Sequence, residues 1–268
     1  IATKSEIKAS SLEDTFAKNF DIEKCFKKST SGSNGMPLTI FIDLRGQVFE
    51  GAVYNRAFFE NGLRLRDKLA FIRDPHHNPE PKVGWSQRLG IMRRRQISVF
   101  DDAEKQLALL EEYRPDVIEG YSSALFILAD FCRNRTIGIK PRLIFTGSEL
   151  LLSAHRELIS SVFNAELFDY YGCKEFGYLS WECHEHIGYH MNVDSVVMEF
   201  IDNGESVAFG ERGEIVCTTL VNYAIPLIRY HIDDVGVPIE EECSCGRTLP
   251  LMKIVEGRKD DFLISLDG

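Results

Sequence analysis

Three stretches of this chain hold residues whose types and spacing could do chemistry. Cys183 and the Cys243-x-Cys245 pair supply three thiols, and His184, His186 and His190 lie just beyond the first of them. Three cysteines and one histidine are a common tetrahedral donor set for a structural Zn²⁺. Free thiols on two unrelated loops are the alternative, and the residues alone leave open whether His186, at Cys-x-x-His spacing, or His190 would join them. The second stretch, residues 29–37, reads Ser-Thr-Ser-Gly-Ser-Asn-Gly-Met-Pro. Small hydroxyl residues and glycines let a backbone wrap around phosphate oxygens, with N–H and O–H groups as donors. The Gly-Lys-[Ser/Thr] ending of a Walker A loop is missing, so taken alone the run reads better as a flexible Ser/Gly turn. The third, residues 168–177, reads Phe-Asp-Tyr-Tyr-Gly-Cys-Lys-Glu-Phe-Gly. A strand that ends in aromatics, a Gly turn and a carboxylate suits the carboxyl edge of an α/β sheet, where ligands bind. Its aromatics could pack on a purine, and Glu175 could hold Mg²⁺ through hard oxygen ligation. A tight turn with two core tyrosines fits the same residues. Residues 226–236 and 257–261 are, taken singly, plain strand-and-turn segments.

Secondary elements must bring these stretches into place. Residues 1–28 carry apolar positions at helical spacing, among them Phe16, Phe20 and Ile22. A strand is expected over 38–45 and a long amphipathic helix over 48–70. Residues 73–84, with three of the nine prolines, should be a loop, and 101–113 a helix capped by Asp101 and stopped by Pro115. Strands over 116–119, 142–146 and 166–170 then alternate with helices over 122–134 and 153–162. Such alternation predicts an α/β fold, a parallel sheet flanked by helices. After Gly172 the texture changes to short alternating stretches (190–200, 213–219 and 236–239) between Gly, Asn and Asp turns. This second part should be a β-rich antiparallel subdomain.

Composition narrows the function classes. The 268 residues carry a net charge of −10, with 44% hydrophobic and 27% charged residues, enough apolar material for a sizeable core and too much for a disordered chain. The acidic balance argues against a nucleic-acid partner, and Arg93-Arg94-Arg95 is expected to be a solvated face. No apolar run approaches the ~18 residues of a membrane span. The chain opens Ile-Ala-Thr-Lys-Ser-Glu, with charges where a signal peptide needs an apolar stretch, and reads as a piece of a longer protein. Seven cysteines, an odd count, suit cytoplasmic thiols and a metal cluster better than a disulfide framework.

The order of the motifs carries more than any one of them. The chain resembles the adenylate-forming superfamily, and within it most resembles the branch of phenylacetate–CoA ligase, coenzyme F390 synthetase and CapK-like proteins. Residues 29–37 resemble the family's Ser-Gly-Thr-Thr-Gly-Lys-Pro phosphate loop, with Met36 in place of its usual Lys. Thr146-Gly147-Ser148-Glu149-Leu150 resembles the Gly-Gly-Glu segment beside adenine. Tyr171 to Glu175 resembles Tyr-Gly-x-Thr-Glu, with Lys174 in place of Thr. Thr218-Thr219-Leu220 followed by residues 226–234 resembles Thr-Thr-Leu…Pro-Leu-Ile-Arg-Tyr-x-x-x-Asp, and residues 243–248 and 257–261 complete the series.

The resemblance implies an ATP-dependent, AMP-forming ligase that activates a carboxylic acid, an aryl acid in this branch, and passes it to coenzyme A. Thr30, Ser31, Gly32, Ser33, Asn34 and Gly35 would hold the β/γ-phosphates of ATP, and Glu175 would be the catalytic carboxylate that binds Mg²⁺. Gly147, Ser148, Glu149, Asp169, Tyr170, Tyr171 and Gly172 would line the AMP moiety, and Asp234 and Arg258 would take the ribose hydroxyls. Residues 1–256 would be part of the large adenylation domain, α/β to about 170 and β-rich from 171. Residues 257–268 would be the hinge and the start of the smaller C-terminal domain, whose adenylation lysine lies beyond this chain. Some members of the branch carry a zinc site whose histidine belongs to a Gly-x-His triplet, which here selects His190 as partner of Cys183, Cys243 and Cys245. The expected partners are ATP, CoA and a small-molecule acid, with no nucleic acid and no membrane, in the cytoplasm; a homodimer stays open. Two other readings compete: AMP transfer to a deazaflavin hydroxyl, as in coenzyme F390 synthetase, and a non-catalytic nucleotide-binding or zinc-stabilised scaffold.

Overall fold

A computed structural model describes residues 1–29, 38–76 and 84–256 of the chain. Two compact units divide it, one formed by Ile1–Ala57 with Tyr171–Gly268 and the other by Phe58–Tyr170. The chain starts with two short helices, α1 (Lys4–Ala9) and α2 (Leu12–Thr15), and a 3-10 turn over Ile22–Lys24. The helical spacing of this region is broken because small polar residues start new caps. Thr3 forms a capping box with Glu6, and Ser11 accepts from the Asp14 backbone N–H. The antiparallel hairpin β1 (Phe26–Ser29) and β2 (Thr39–Ile42) follows, with Phe26 opposite Ile42 and Ser29 opposite Thr39.

Next comes helix α3 (Leu44–Glu60), then strand β3 (Lys68–Arg73). The sequence pattern had placed one helix across 48–70. Instead, Gly62 takes φ +92° just past the helix end, and Asp67 accepts from the Arg64 backbone N–H to turn the chain. Residues 69–72 are all buried, so β3 lacks the polar alternation that marks a strand with one wet face. From β3 the chain runs through α4 (Trp85–Arg88), β4 (Arg93–Ser98), α5 (Ala103–Tyr113), β5 (Val117–Gly120), α6 (Ser122–Cys132), β6 (Leu143–Gly147), α7 (Ser153–Phe163) and β7 (Glu166–Cys173). These strands pair in parallel in the order β7-β6-β5-β3-β4. Ile72, Leu110, Ile118, Leu125, Leu128, Ile144 and Ile159 form the core of this unit. Each such fully buried side chain contributes about 1.5–3 kcal/mol.

Two local expectations are corrected here. Asp102, not Asp101, caps α5 by accepting from the Lys105 backbone N–H at 2.8 Å, while Asp101 pairs with the Lys105 ammonium. Arg93-Arg94-Arg95 is not a bare solvated face but part of the edge strand β4. There Arg94 lies over the Phe71 ring, and Arg95 lies over Tyr113 and pairs with Glu112 at 3.1 Å. Basic side chains suit an edge strand because they discourage pairing with another chain.

After β7 come β8 (Gly177–Glu182), β9 (Tyr189–Met191), β10 (Val196–Asp202), β11 (Glu205–Ser206), β12 (Gly213–Thr219), β13 (Tyr230–Ile239) and β14 (Leu251–Glu256). They pair antiparallel in the order β11-β10-β12-β13-β14-β9-β8. Leu179, Phe200, Ile215, Tyr230 and Met252 pack with Leu38, Ile40 and Ile42 in the core of this unit. The expected fold, a parallel sheet with helices followed by a β-rich part, is the one observed. β13 is longer than the 236–239 stretch suggested, because register shifts opposite β12 and β14 and a positive φ at Asp233 interrupt its alternation. No helix among the described residues is long and apolar enough to cross a membrane.

Candidate functional site

Parallel strands end together at one edge of a sheet, and that edge carries the first group of expected site residues. Thr146 and Gly147 close β6, while Asp169 and Tyr170 lie in register with them on β7. The Thr146 hydroxyl donates to Asp169 at 2.5 Å, and Asp169 is buried. Tyr170 donates its hydroxyl to Glu119 at 2.6 Å, and Arg73 pairs with the same carboxylate. The Tyr170 ring lies against Gly147, filling the place a side chain there would need, so only glycine fits. Ser148 is exposed with φ +67°. Glu149 accepts from the Ser123 backbone N–H at 2.9 Å, serving the start of α6, where Tyr121 makes no side-chain cap.

The second group lies in the other unit. Tyr171 donates its hydroxyl to Asp234 at 2.6 Å. Burial, and then the Asp234 charge, push the Tyr171 phenol well above its ordinary pKa, so it stays a donor at neutral pH. Gly172 and Gly177 close a tight turn around Cys173, Lys174 and Glu175. The Gly172 Cα faces the Gly177 carbonyl, and Gly177 has φ +72°. Within it, Glu175 accepts from the Tyr230 hydroxyl at 3.4 Å. Thr218 and Thr219 fix the approach to β13. The Thr218 hydroxyl accepts from the Arg229 N–H at 2.8 Å, and that of Thr219 from the Asn222 N–H at 3.2 Å. Thr30, Ser31, Gly32, Ser33, Asn34, Gly35 and Arg258 lie outside the described residues, as do the expected hinge and start of the smaller domain over 257–268.

A third group could hold a metal ion. One donor atom from each of Cys183, His190, Cys243 and Cys245 lies within 4.8 Å of the others. The Cys183 and Cys243 sulfurs are 3.6 Å apart, and His190 Nε2 is 3.4 Å from the Cys245 sulfur. Zn–S bonds of 2.3 Å in a tetrahedron put neighbouring sulfurs about 3.8 Å apart, so the donor set fits Zn²⁺. His190 Nδ1 donates to the Leu249 carbonyl at 3.3 Å, which turns the Nε2 lone pair toward the sulfurs as in metal-bound histidines. His186 is not in this group; its Nδ1 lies 3.5 Å from Glu182. Burial pushes the Cys183 thiol up to about 12, and burial and then the Arg247 charge lower His190. Burial would raise Cys245 too, but hydrogen bonds from the Arg247 backbone and side chain outweigh it and hold that thiol below its usual value.

Several partners of these residues escaped sequence reasoning. Glu119 reads as an ordinary strand residue and Arg73 as the start of a loop, and only the parallel register brings them to Tyr170. Trp181 packs on His190 with ring centroids 5.3 Å apart and donates its indole N–H to Asn192 at 3.2 Å. No local pattern announces such contacts, because they span separate strands.

No family model matches the chain. Among curated proteins, the phenylacetate-coenzyme A ligase of Thermus thermophilus is 33% identical over 171 residues, covering 60% of this chain and 38% of that protein. Those of Pseudomonas putida and Escherichia coli K12 are 31% and 29% identical over the same shares. The chain thus spans well under half the length of these relatives. Among solved structures, 2-hydroxyisobutyryl-CoA ligase in complex with 2-HIB-AMP and CoA superposes with a TM-score of 0.79 at 19% identity, over 98% of this chain and 60% of that one. A benzoate CoA ligase from Burkholderia xenovorans LB400 gives 0.63 at 15%, over 92% and 51%. At such identities these structures speak to the fold alone. The chain is thus similar in sequence to phenylacetate-coenzyme A ligases and in fold to acyl-CoA ligases.

Proposed function

We propose that the protein to which this chain belongs activates a carboxylic acid with ATP and transfers the acyl group to coenzyme A. Relatives named phenylacetate-coenzyme A ligase support an aryl acid as the substrate. The acid's carboxylate attacks the α-phosphorus of ATP in line and pyrophosphate leaves, giving an acyl-adenylate. The CoA thiol then displaces AMP. No enzyme nucleophile is needed, so the protein's task is positioning and electrostatics. In this reading Thr30 to Gly35 hold the β/γ-phosphates, and Gly147, Ser148, Glu149, Asp169, Tyr170, Tyr171 and Gly172 line the adenosine. Asp234 and Arg258 take the ribose hydroxyls. Glu175, with its carboxylate in a turn open enough to leave it partly exposed, would supply one hard oxygen ligand to Mg²⁺. When bound, that ion neutralises charge on the departing pyrophosphate. Residues 1–256 act as part of the large adenylation domain, and 257–268 as the hinge and the start of the smaller C-terminal domain. Cys183, His190, Cys243 and Cys245 hold a structural Zn²⁺. The seven cysteines, all thiols, favour a reducing compartment such as the cytoplasm.

The observation that carries this reading is the Tyr171–Asp234 hydrogen bond, which joins two family motifs 63 residues apart. ATP–pyrophosphate exchange by the complete protein with a panel of aryl acids tests it. Exchange dependent on one acid is expected. AMP incorporation into a deazaflavin without acid-dependent exchange would replace the ligase by an adenylyltransferase. ATP binding with neither activity would leave a scaffold.

A further inference from the structure

Glu50 has no part in the function proposed above, yet it reaches the turn that carries Glu175. It lies within α3, its side chain only 11% exposed, and pairs with Lys28 of β1, which is 29% exposed. A Cβ built on Gly177 would stand 3.1 Å from both Glu50 Cγ and Cδ and 3.2 Å from Oε1, so the carboxylate rests directly on the Gly177 backbone. Gly177 ends the turn that Gly172 begins, and Glu175 is two residues before it. Further along α3, Tyr54 packs on Tyr178 with ring centroids 4.7 Å apart. Arg56 then holds Asp194 at 2.7 and 2.9 Å and Asn192 at 2.5 Å, while Asn192 donates to the Tyr178 carbonyl at 2.9 Å. α3 therefore meets two consecutive residues, Gly177 and Tyr178, just beyond the turn.

A helix can be fastened to a sheet by apolar side chains alone, and Tyr54 already does that. A partly buried ion pair is a costly fastener, since both charges lose some of their hydration. What it adds is direction, because a charged carboxylate held by Lys28 has a fixed place against a backbone that has no side chain to yield. We propose that Glu50, balanced by Lys28, is a positioning residue for Glu175: it fixes the backbone of the 172–177 turn and with it the carboxylate offered to a metal-bound nucleotide. This rests on the reading of Glu175 as the Mg²⁺ carboxylate.

The test compares the unmodified chain with Glu50→Gln, Lys28→Met, Lys28→Arg and Glu175→Gln. It reads amide hydrogen exchange across 172–178, affinity for ATP with and without Mg²⁺, and melting temperature. Glu50→Gln and Lys28→Met should speed exchange in the turn and weaken Mg²⁺-dependent ATP binding, each about tenfold, with little change in metal-free ATP binding. Lys28→Arg should restore both. Exchange at the turn and Mg²⁺-dependent affinity that are unchanged in Glu50→Gln would overturn the proposal. So would faster exchange spread over the whole unit with a matching fall in melting temperature, which is the mark of a merely structural pair. If Glu175→Gln keeps full Mg²⁺ dependence, the Mg²⁺ reading of Glu175 fails, and the positioning role falls with it even where Glu50→Gln loosens the turn.

Discussion

Tyr171 and Asp234 meet at 2.6 Å, phenol donating to carboxylate, although 63 residues separate them. The bond ties the end of β7 to the middle of β13. Because burial and the carboxylate's own charge keep the phenol protonated, its direction does not change across physiological pH. Tyr171→Phe keeps the ring and removes the donor. A hydrogen bond to a charged group is worth about 1.5–3 kcal/mol, so a loss of that order is expected in urea unfolding. Unaltered stability would mean that water replaces the phenol at no cost.

Glu175 and Asp234 should fail differently. A carboxylate that serves the departing pyrophosphate through Mg²⁺ acts mainly in the transition state, whereas a ribose contact acts in ground state and transition state alike. Glu175→Gln should lower kcat for pyrophosphate exchange about 10²-fold with a modest change in the KM for ATP. Asp234→Ala should mainly raise that KM. Equal, mild effects of both would return the two residues to the role of turn formers.

What the sequence made legible follows a physical line. The Asp169 to Glu175 run and the Cys183, Cys243 and Cys245 thiols stood out because glycines, aromatics, carboxylates and thiols at short spacing have few other uses. The cores of β5, α6 and β6 were found because alternation of apolar strand and apolar helix has one common solution. The first half of strand β3, to residue 70, was read as helix because residues 69–72 are buried on both faces and keep no period of two. Asp102 lost to its neighbour Asp101 because either could cap, and only backbone geometry chooses. Glu50, Arg56 and Asn192 were invisible for a different reason: each is an ordinary polar residue, and its meaning lies wholly in partners that folding brings from more than twenty positions away.

The Arg56–Asp194 pair gives a pH dependence of known sign. The hydrogen bond from Arg56, and then its charge, hold the Asp194 carboxyl below the ordinary range. A folded pKa below the unfolded value of about 3.9 means that the stabilisation is fully present above that value and is lost as pH falls through the folded pKa. The Asp194 side chain is 44% exposed, so the pair is worth about 1 kcal/mol or less. Asp194→Asn should therefore be slightly less stable than the unmodified chain at pH 7, and the gap should close in acid below the folded pKa. A gap that stays constant from neutral pH into acid would show that the carboxylate's charge is not what Arg56 uses.

The thiol and imidazole donors that converge from β9 and from two loops make a prediction about metal. If Cys183, His190, Cys243 and Cys245 bind one Zn²⁺, the ion closes a loop of sixty residues between Cys183 and Cys243 and links strand β9 to the segment before β14. Closing so long a loop restricts the unfolded chain, and ligation adds its own free energy to folding. Four protein donors leave no open position, so the ion should be structural and should not exchange its ligands for water. Elemental analysis of the purified chain should give about one zinc per molecule. Cys243→Ser and prolonged chelation should each lower both zinc content and melting temperature. Trp181 supplies an internal reporter, because it is buried against His190 while the other tryptophan, Trp85, is 76% exposed. In a Trp85→Phe background, chelation should change the Trp181 emission before the chain unfolds. Zinc-free protein with unchanged melting and unchanged emission would leave the cluster as three ordinary thiols beside a histidine.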